Sequence, residues 1–288
     1  MARLGVTAIA LGAVMFATMA LLAKEASARL PGPEVALIRF LVGVAAVGGA
    51  MLIGLRLKPN NLGGLFLRGL FGGTAVLFYF VAIAHLAVGM ATLLNYTFPI
   101  FTAVFAAIFL REGIAPSTGV ALLVTFVGVV LVAHGNARPG EFGFGWWEAC
   151  GLLSSMLSGA AVTTIRFVRR TDGTWEIFGA FCVIGALACL GPAVSTWVTP
   201  RPGEWALLVA VGLLSLVAQL LLTWSLRFVT AAAAGVVSQL TPVAALGLGV
   251  ALLGDVARPL ALVGSAITVA AVAWSAVSAG RRREVRRE

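Results

Sequence analysis

At 288 residues, 60% of them hydrophobic and only 11% charged, the chain has too little polar surface to cover a water-soluble globule and belongs in lipid. The net charge of +9 does not point to nucleic acid, because the basic residues gather at the ends of apolar runs and in the tail Arg281, Arg282, Arg283, Arg286 and Arg287, where an anionic lipid leaflet is the natural partner. Cys150, Cys182 and Cys189 lie in apolar stretches without ligand-pair spacing, so neither a disulfide frame nor a metal site is indicated and they read as packing residues.

A membrane span needs about 20 apolar residues, because the hydrocarbon layer is about 30 Å thick and a helix rises about 1.5 Å per residue. The apolar runs are continuous Ala, Val, Leu and Gly, not ten-residue stretches of alternating polarity, so the spans are helices and not barrel strands. In chain order they are predicted near Leu4–Leu22, Val35–Leu55, Leu65–Leu86, Ala91–Leu110 and Pro116–Ala133. A second set follows near Trp147–Phe167, Trp175–Val198, Glu204–Phe228, Ala231–Leu253 and Pro259–Val277. Residues 1–28 also carry signal-peptide features, with Arg3, an apolar core and the Ala26-Ser27-Ala28 site. That core is longer than the roughly 7 to 15 residues of a signal h-region, and the segment reads as a span.

Placing both termini in the cytoplasm puts Arg3, Arg56, Lys58, Arg68, Arg111, Arg166, Arg169, Arg170, Arg227 and the five tail arginines inside, fourteen basic residues in all. Lys24, Arg29, Arg138, Arg201 and Arg258, five in number, fall outside, with Arg39 left inside a span, and the positive-inside rule selects this orientation.

Offsetting the sequence by 143 positions aligns Pro99 with Pro242, Glu112 with Asp255, Pro116 with Pro259 and Ala91 with Ala234. An offset of 142 aligns Glu34 with Glu176, Gly43 with Gly185 and Gly49 with Gly191. The expected organisation is two five-helix repeats, residues 1–137 and 141–280, joined at the polar segment Gly135 to Gly145 and followed by a basic tail, residues 281–288. Five is odd, so the second repeat crosses the membrane in the opposite sense. Inverted repeats are the construction that gives secondary transporters alternating access.

These residues resemble the EamA-type transporters of the drug/metabolite transporter superfamily, over essentially the full length. The likeness is carried by the Pro33 to Arg39 opening of the second helix, Arg68-Gly69, Phe98-Pro99, the run Phe109-Leu110-Arg111-Glu112, and Gly119 with Gly128. Leu240-Thr241-Pro242 and Leu253-Gly254-Asp255 echo it in the second half, with Phe181 where the first has Arg39 and Ala271 opposite Gly128. The resemblance implies a ten-helix exporter of small metabolites, and within the superfamily the chain looks most like the amino acid exporters, the YddG-like branch.

Proline inside a helix removes one hydrogen bond and leaves the carbonyl four residues earlier without its donor. Pro99 frees Asn95 and Pro242 frees Ser238, so each exposes polar backbone within a span, which is tolerated only against protein or a water-filled cavity. Pro99 and Pro242 are therefore the expected gates. Asn95, Tyr96, Ser238 and Gln239 are the expected substrate contacts, with Phe78, Tyr79 and His85 in the third helix and Gln219 and Trp224 in the eighth as further lining. Ser154, Ser155 and Ser158 form a hydroxyl patch that reads equally as helix packing.

Among the charges, Arg39 is expected to pair with Glu34 or Glu25 as a structural ion pair, in preference to contacting substrate, Lys24 to snorkel or meet a carboxylate, and Glu112 and Asp255 to tie helix ends to loops. No span centre is expected to carry Lys or Arg, which leaves a neutral or zwitterionic cargo such as an amino acid. The first helix has no buried acid for proton exchange. A membrane enzyme would need a nucleophile with its base or a metal set, and His85 and His134 sit near span ends without such partners. The expectation is a monomeric, multi-pass protein of the bacterial inner membrane, with a small-molecule substrate and lipid as partners and no cofactor or metal.

Overall fold

The computed structural model describes residues 2–86, 88–136, 145–253 and 258–285. It is all-helical, with α1 Ala2–Ala26, α2 Gly32–Leu52, α3 Leu62–His85, α4 Val88–Asn95, α5 Phe98–Phe109, α6 Pro116–Asn136, α7 Trp146–Val168, α8 Thr174–Ser195, α9 Pro202–Ser225, α10 Ala231–Ser238, α11 Leu240–Leu253 and α12 Pro259–Val285. α4 with α5, and α10 with α11, each make one interrupted span, so the twelve helices give ten membrane crossings. Eight of these are long and apolar enough to span by length and hydropathy, and the apolar parts of α6 and α12, Pro116–Val132 and Pro259–Trp274, are shorter. Asp255, Gly254, Arg138, Arg286, Arg287 and residues 137–144 of the joint lie outside the described residues.

Local signals set the helix ends. Asn61 accepts from Gly64 N to start α3, and Thr230 accepts from Ala233 N to start α10. Glu148 and Glu204 reach back to the backbone N–H groups of Gly145 and Arg201 at the starts of α7 and α9, satisfying donors that no helical carbonyl can reach. Lys24 does not snorkel: its ammonium donates to the carbonyls of Ile83 (2.9 Å) and Leu86 (3.1 Å), pinning the end of α1 to the end of α3.

The bundle is bulky on the outside and small within. Leu41, Phe66, Val104, Leu123, Leu187 and Leu213 face outward, where lipid tails solvate them, while the interior is rich in Ala and Gly. Lipid provides no hydrophobic drive between helices, so association rests on close van der Waals approach, which small residues permit. α8 shows the principle: a Cβ on Gly73 would fall 2.6 Å from Gly185 Cα, and one on Gly185 would fall 2.5 Å from the Phe40 ring. The pairings are reciprocal along the chain, α3 packing on α7 and α8 as α9 packs on α1 and α2, with α6 against α12 and α5 against α10.

α5 ends with Arg111 in the left-handed region (φ 53), which lets Glu112 N return to Ala106 O at 3.2 Å in a Schellman-type stop. A side chain there is strained, so Arg111→Gly is expected to stabilise the chain by about 0.5–1 kcal/mol, seen as a higher midpoint in detergent thermal unfolding.

Candidate functional site

Between the helices lies a partly open cavity of about 120 Å³ lined from both halves of the chain: Phe16 and Met19 of α1, Arg39 of α2, Tyr79 and Phe80 of α3, Asn95 and Tyr96 at the first interruption, Ser158 of α7, Gln219 of α9 and Ser238 of α10. One water needs about 10–15 Å³ on this measure, so the space corresponds to on the order of eight waters, or a molecule of amino-acid size. Its walls are aromatic and its polar groups few, the usual make-up of a small-molecule site.

The two interruptions frame it. α4 stops at Asn95 and α10 at Ser238, four residues before Pro99 and Pro242 respectively. The Asn95 amide donates to Ser154 Oγ at 2.8 Å, and Ser154 Oγ in turn donates to Ala75 O at 2.7 Å, which ties the first interruption to α7 and α3. Thr97 and Ser155 share a hydroxyl bond beside it. The hydroxyls of the α7 patch thus hold the interruption in place, and Ser158 lines the cavity. Ser238 Oγ donates to Ala234 O at 2.9 Å within its own helix. α10 can lie against α5 only because residue 235 is glycine, since a Cβ there would meet Pro99 Cβ at 2.8 Å.

Gln239 is placed differently from the sequence expectation. It is fully buried and does not line the cavity; its Nε2 donates to Tyr96 O at 3.1 Å, linking one interruption directly to the other. His85 is exposed, stacks on Trp147 at 3.6 Å between ring centroids, and also lies away from the cavity. Phe78 is half-buried beside the lining residue Tyr79 and does not line the space itself. Trp224 lines a second, more open cavity of about 650 Å³ with Arg166, Arg169, Arg170, Asp172 and Arg227. There, partial burial, with Arg227 nearby, lowers the pKa of the Arg169 guanidinium.

The charges depart most from expectation. Arg39 and Glu34 do not pair: Glu34 accepts from Val198 N at 2.9 Å, while Arg39 lines the cavity with Nε and Nη1 buried and without a hydrogen-bond partner. Residues five apart on a helix point about 140° away from each other, whereas partners need spacings of three or four. Arg68, expected among the cytoplasmic charges, is 3% exposed. Its guanidinium carbon lies 3.9 Å from the Phe181 ring centroid, Nη2 donates to Gln219 Oε1 at 3.1 Å, and Nε has no partner. The expectation of Arg68 as a cytoplasmic charge is therefore corrected: it is buried within the bundle, in the second turn of α3. A Cβ on Gly72 would collide with the Arg68 guanidinium, so glycine at 72 is what admits it.

Ion pairs among the described residues sit at helix ends, Arg29 with Glu204 and Arg166 with Glu112. Glu112 accepts from Arg166 Nε at 2.8 Å and lies 3.4 Å from Ala231 N, fastening the end of α5 to α7 and to the start of α10. Cys150, Cys182 and Cys189 are free and buried, and no group of His, Cys, Asp and Glu among the described residues could hold a metal ion.

The model of the EamA-like transporter family matches residues 3–133 and again residues 145–277. The chain belongs to this family. The pseudopaline exporter CntI of Pseudomonas aeruginosa strain UCBPP-PA14 is 30% identical over 280 residues, 96% of this chain and 97% of its own length. The S-adenosylmethionine uptake transporter of Rickettsia bellii is 28% identical over 148 residues, 51% of this chain and 49% of its own. Human solute carrier family 35 member G1 is 28% identical over 178 residues, covering 57% of this chain and 48% of its own. A solved crystal structure superposes with a TM-score of 0.77 over 96% of this chain and 98% of that one, at 24% identity, a likeness of fold alone. The family is thus a family of multi-pass membrane transporters, and the central cavity is the candidate transport site.

Proposed function

We propose that this chain exports small amino-acid-like metabolites across a bacterial inner membrane by alternating access, with both termini in the cytoplasm. The observation that carries the reading is a partly open cavity of amino-acid size, bordered by both interruptions and lined by residues of both halves. Reciprocal packing of α3 on α7 and α9 on α1 supports two inverted five-helix units, 1–137 and 141–280, and the two-part family match supports it too. Export is the direction named for the relative that spans nearly its whole length. Asn95 and Ser238 supply amide and hydroxyl groups to the cargo, Tyr79, Phe80 and Tyr96 its apolar walls, and Pro99 and Pro242 mark where the half-helices flex.

Purified protein reconstituted in proteoliposomes is expected to exchange labelled amino acids across the bilayer. Asn95→Ala and Ser238→Ala should each weaken apparent affinity by about tenfold, the scale of one lost hydrogen bond. Absence of flux for every amino acid tested, with and without a pH gradient, refutes the reading.

A further inference from the structure

The two interior arginines lack the anion that buried arginine requires. Arginine stays protonated in proteins, carries five donors in a rigid planar fork, and is costly to bury unpaired inside a membrane protein. Arg39 is 4% and Arg68 3% exposed, and both guanidinium carbons lie over the same ring, Phe181, at 5.6 and 3.9 Å from its centroid. Phe40 and Phe80 also face Arg39, at 5.1 and 6.0 Å. These faces attract the cations, but they leave Arg39 Nε and Nη1 and Arg68 Nε without hydrogen-bond partners. No residue lining the cavity is Asp or Glu, and the nearest acid along α2, Glu34, is engaged by Val198 N. Arg68 holds Gln219 by its oxygen, which leaves the amide NH2 as the end of that side chain able to donate to a cargo.

We infer that the missing partner is the cargo, and that Arg39 is the residue that recognises it through a carboxylate. A fork with two unpartnered N–H directions fits a carboxylate in bidentate fashion. With Arg68 adding positive potential and no acid in the lining to receive an ammonium, the cavity selects molecules whose carboxylates outnumber their amines. The cargo is a net-anionic amino-acid derivative, not a neutral one. This inference rests on the reading of the central cavity as the cargo site.

The test is direct binding to the purified full-length chain in lipid nanodiscs by titration calorimetry, with L-glutamate, L-leucine, L-lysine and inorganic phosphate as probes. Glutamate is expected to bind at least about tenfold more tightly than leucine, with lysine weakest. Arg39→Gln should weaken glutamate by at least about tenfold and leucine, which offers the fork only its α-carboxylate, by a smaller factor of about threefold or more, and Arg39→Lys, which keeps the charge but loses the fork, should fall between. Arg39→Met supplies a readout that a purely structural arginine would move the other way. Removing an unpaired buried cation should raise the unliganded thermal midpoint by about 3 °C, and glutamate should no longer raise it further. Equal binding of leucine and glutamate, tighter binding of phosphate, no carboxylate binding at millimolar concentration, or a lower midpoint in Arg39→Met overturns the inference. Binding requires no flux, so the two readings fail separately. Selective glutamate binding without transport of any amino acid refutes the exporter, whereas leucine transport that Arg39→Gln leaves unchanged refutes the carboxylate receptor.

Discussion

Gly73→Leu is expected to leave no monodisperse folded protein, while Gly48→Leu and Gly191→Leu leave the chain as stable as before. The difference lies in what a side chain would meet. At Gly73 the first added atom falls 2.6 Å from Gly185 Cα and 3.2 Å from Gly185 N, so it strikes backbone that no rotamer change can move aside. Gly185 cannot retreat, because the Phe40 ring occupies the space behind it, and Phe40 is itself set edge-on against Phe181 at 5.0 Å. Accommodation means parting α3 from α8. Ordinary overpacking costs about 1–3 kcal/mol; separating two helix backbones loses the interface as well and exceeds that range, a large fraction of the whole stability of a native protein. At Gly48 and Gly191 nothing lies within 4 Å. Fluorescence-detected size-exclusion chromatography of the three variants measures the contrast directly. The consequence reaches the site, because Arg68 rests on Phe181 and Gly72 leaves it room, so the α3–α8 seam also places the cation that holds Gln219.

The frame of the molecule was legible because its signals are local. Hydropathy finds each span, and the prolines at 99 and 242 locate the interruptions, since the loss of one N–H acts within one turn of the same helix. The site was legible only where the same local argument applied. Asn95 and Ser238 border the cavity because the interruptions put them there, whereas the destination of a long side chain is a property of the neighbours. Arg68 stands in the second turn of α3, where a charge would ordinarily reach the interface. It turns inward because Gly72 opens a space and Phe181, far along the chain, offers a ring face. Gln239 and Gln219 illustrate the same limit: both are amides within spans, and only the packing decides that one bonds a backbone carbonyl across the two interruptions while the other faces the cavity. For Arg39 and Glu34 the fault lay in periodicity, since five residues separate their directions on the helix.

Gln239→Leu is expected to weaken the apparent affinity for cargo by about tenfold while lowering the thermal midpoint only modestly. In an unbroken helix the Tyr96 carbonyl would accept from Ile100 N, but Ile100 N donates to Thr97 O instead, so Tyr96 O would be an unmet acceptor inside the protein. Gln239 Nε2 fills that vacancy at 3.1 Å. Leaving such a buried acceptor without a donor costs about 1–3 kcal/mol in general, and interhelical bonds within membranes fall toward the lower end, so the fold survives. What the bond fixes is the position of Tyr96 and its neighbour Asn95, which both line the cavity, relative to Ser238 on the opposite interruption. Without it the two half-helix ends lose the bond from Gln239 to the Tyr96 carbonyl, and the polar groups facing the cargo lose their register. Tyr96→Phe keeps the backbone carbonyl and therefore keeps the link. Gln239→Asn is too short to reach, and Gln239→Glu opposes a carboxylate oxygen to a carbonyl oxygen unless protonated, so its transport should improve as pH falls. Proteoliposome exchange measured for the four variants separates these cases. Transport by Gln239→Leu equal to that of the natural chain, at an unchanged midpoint, would show that the link between the two interruptions positions nothing.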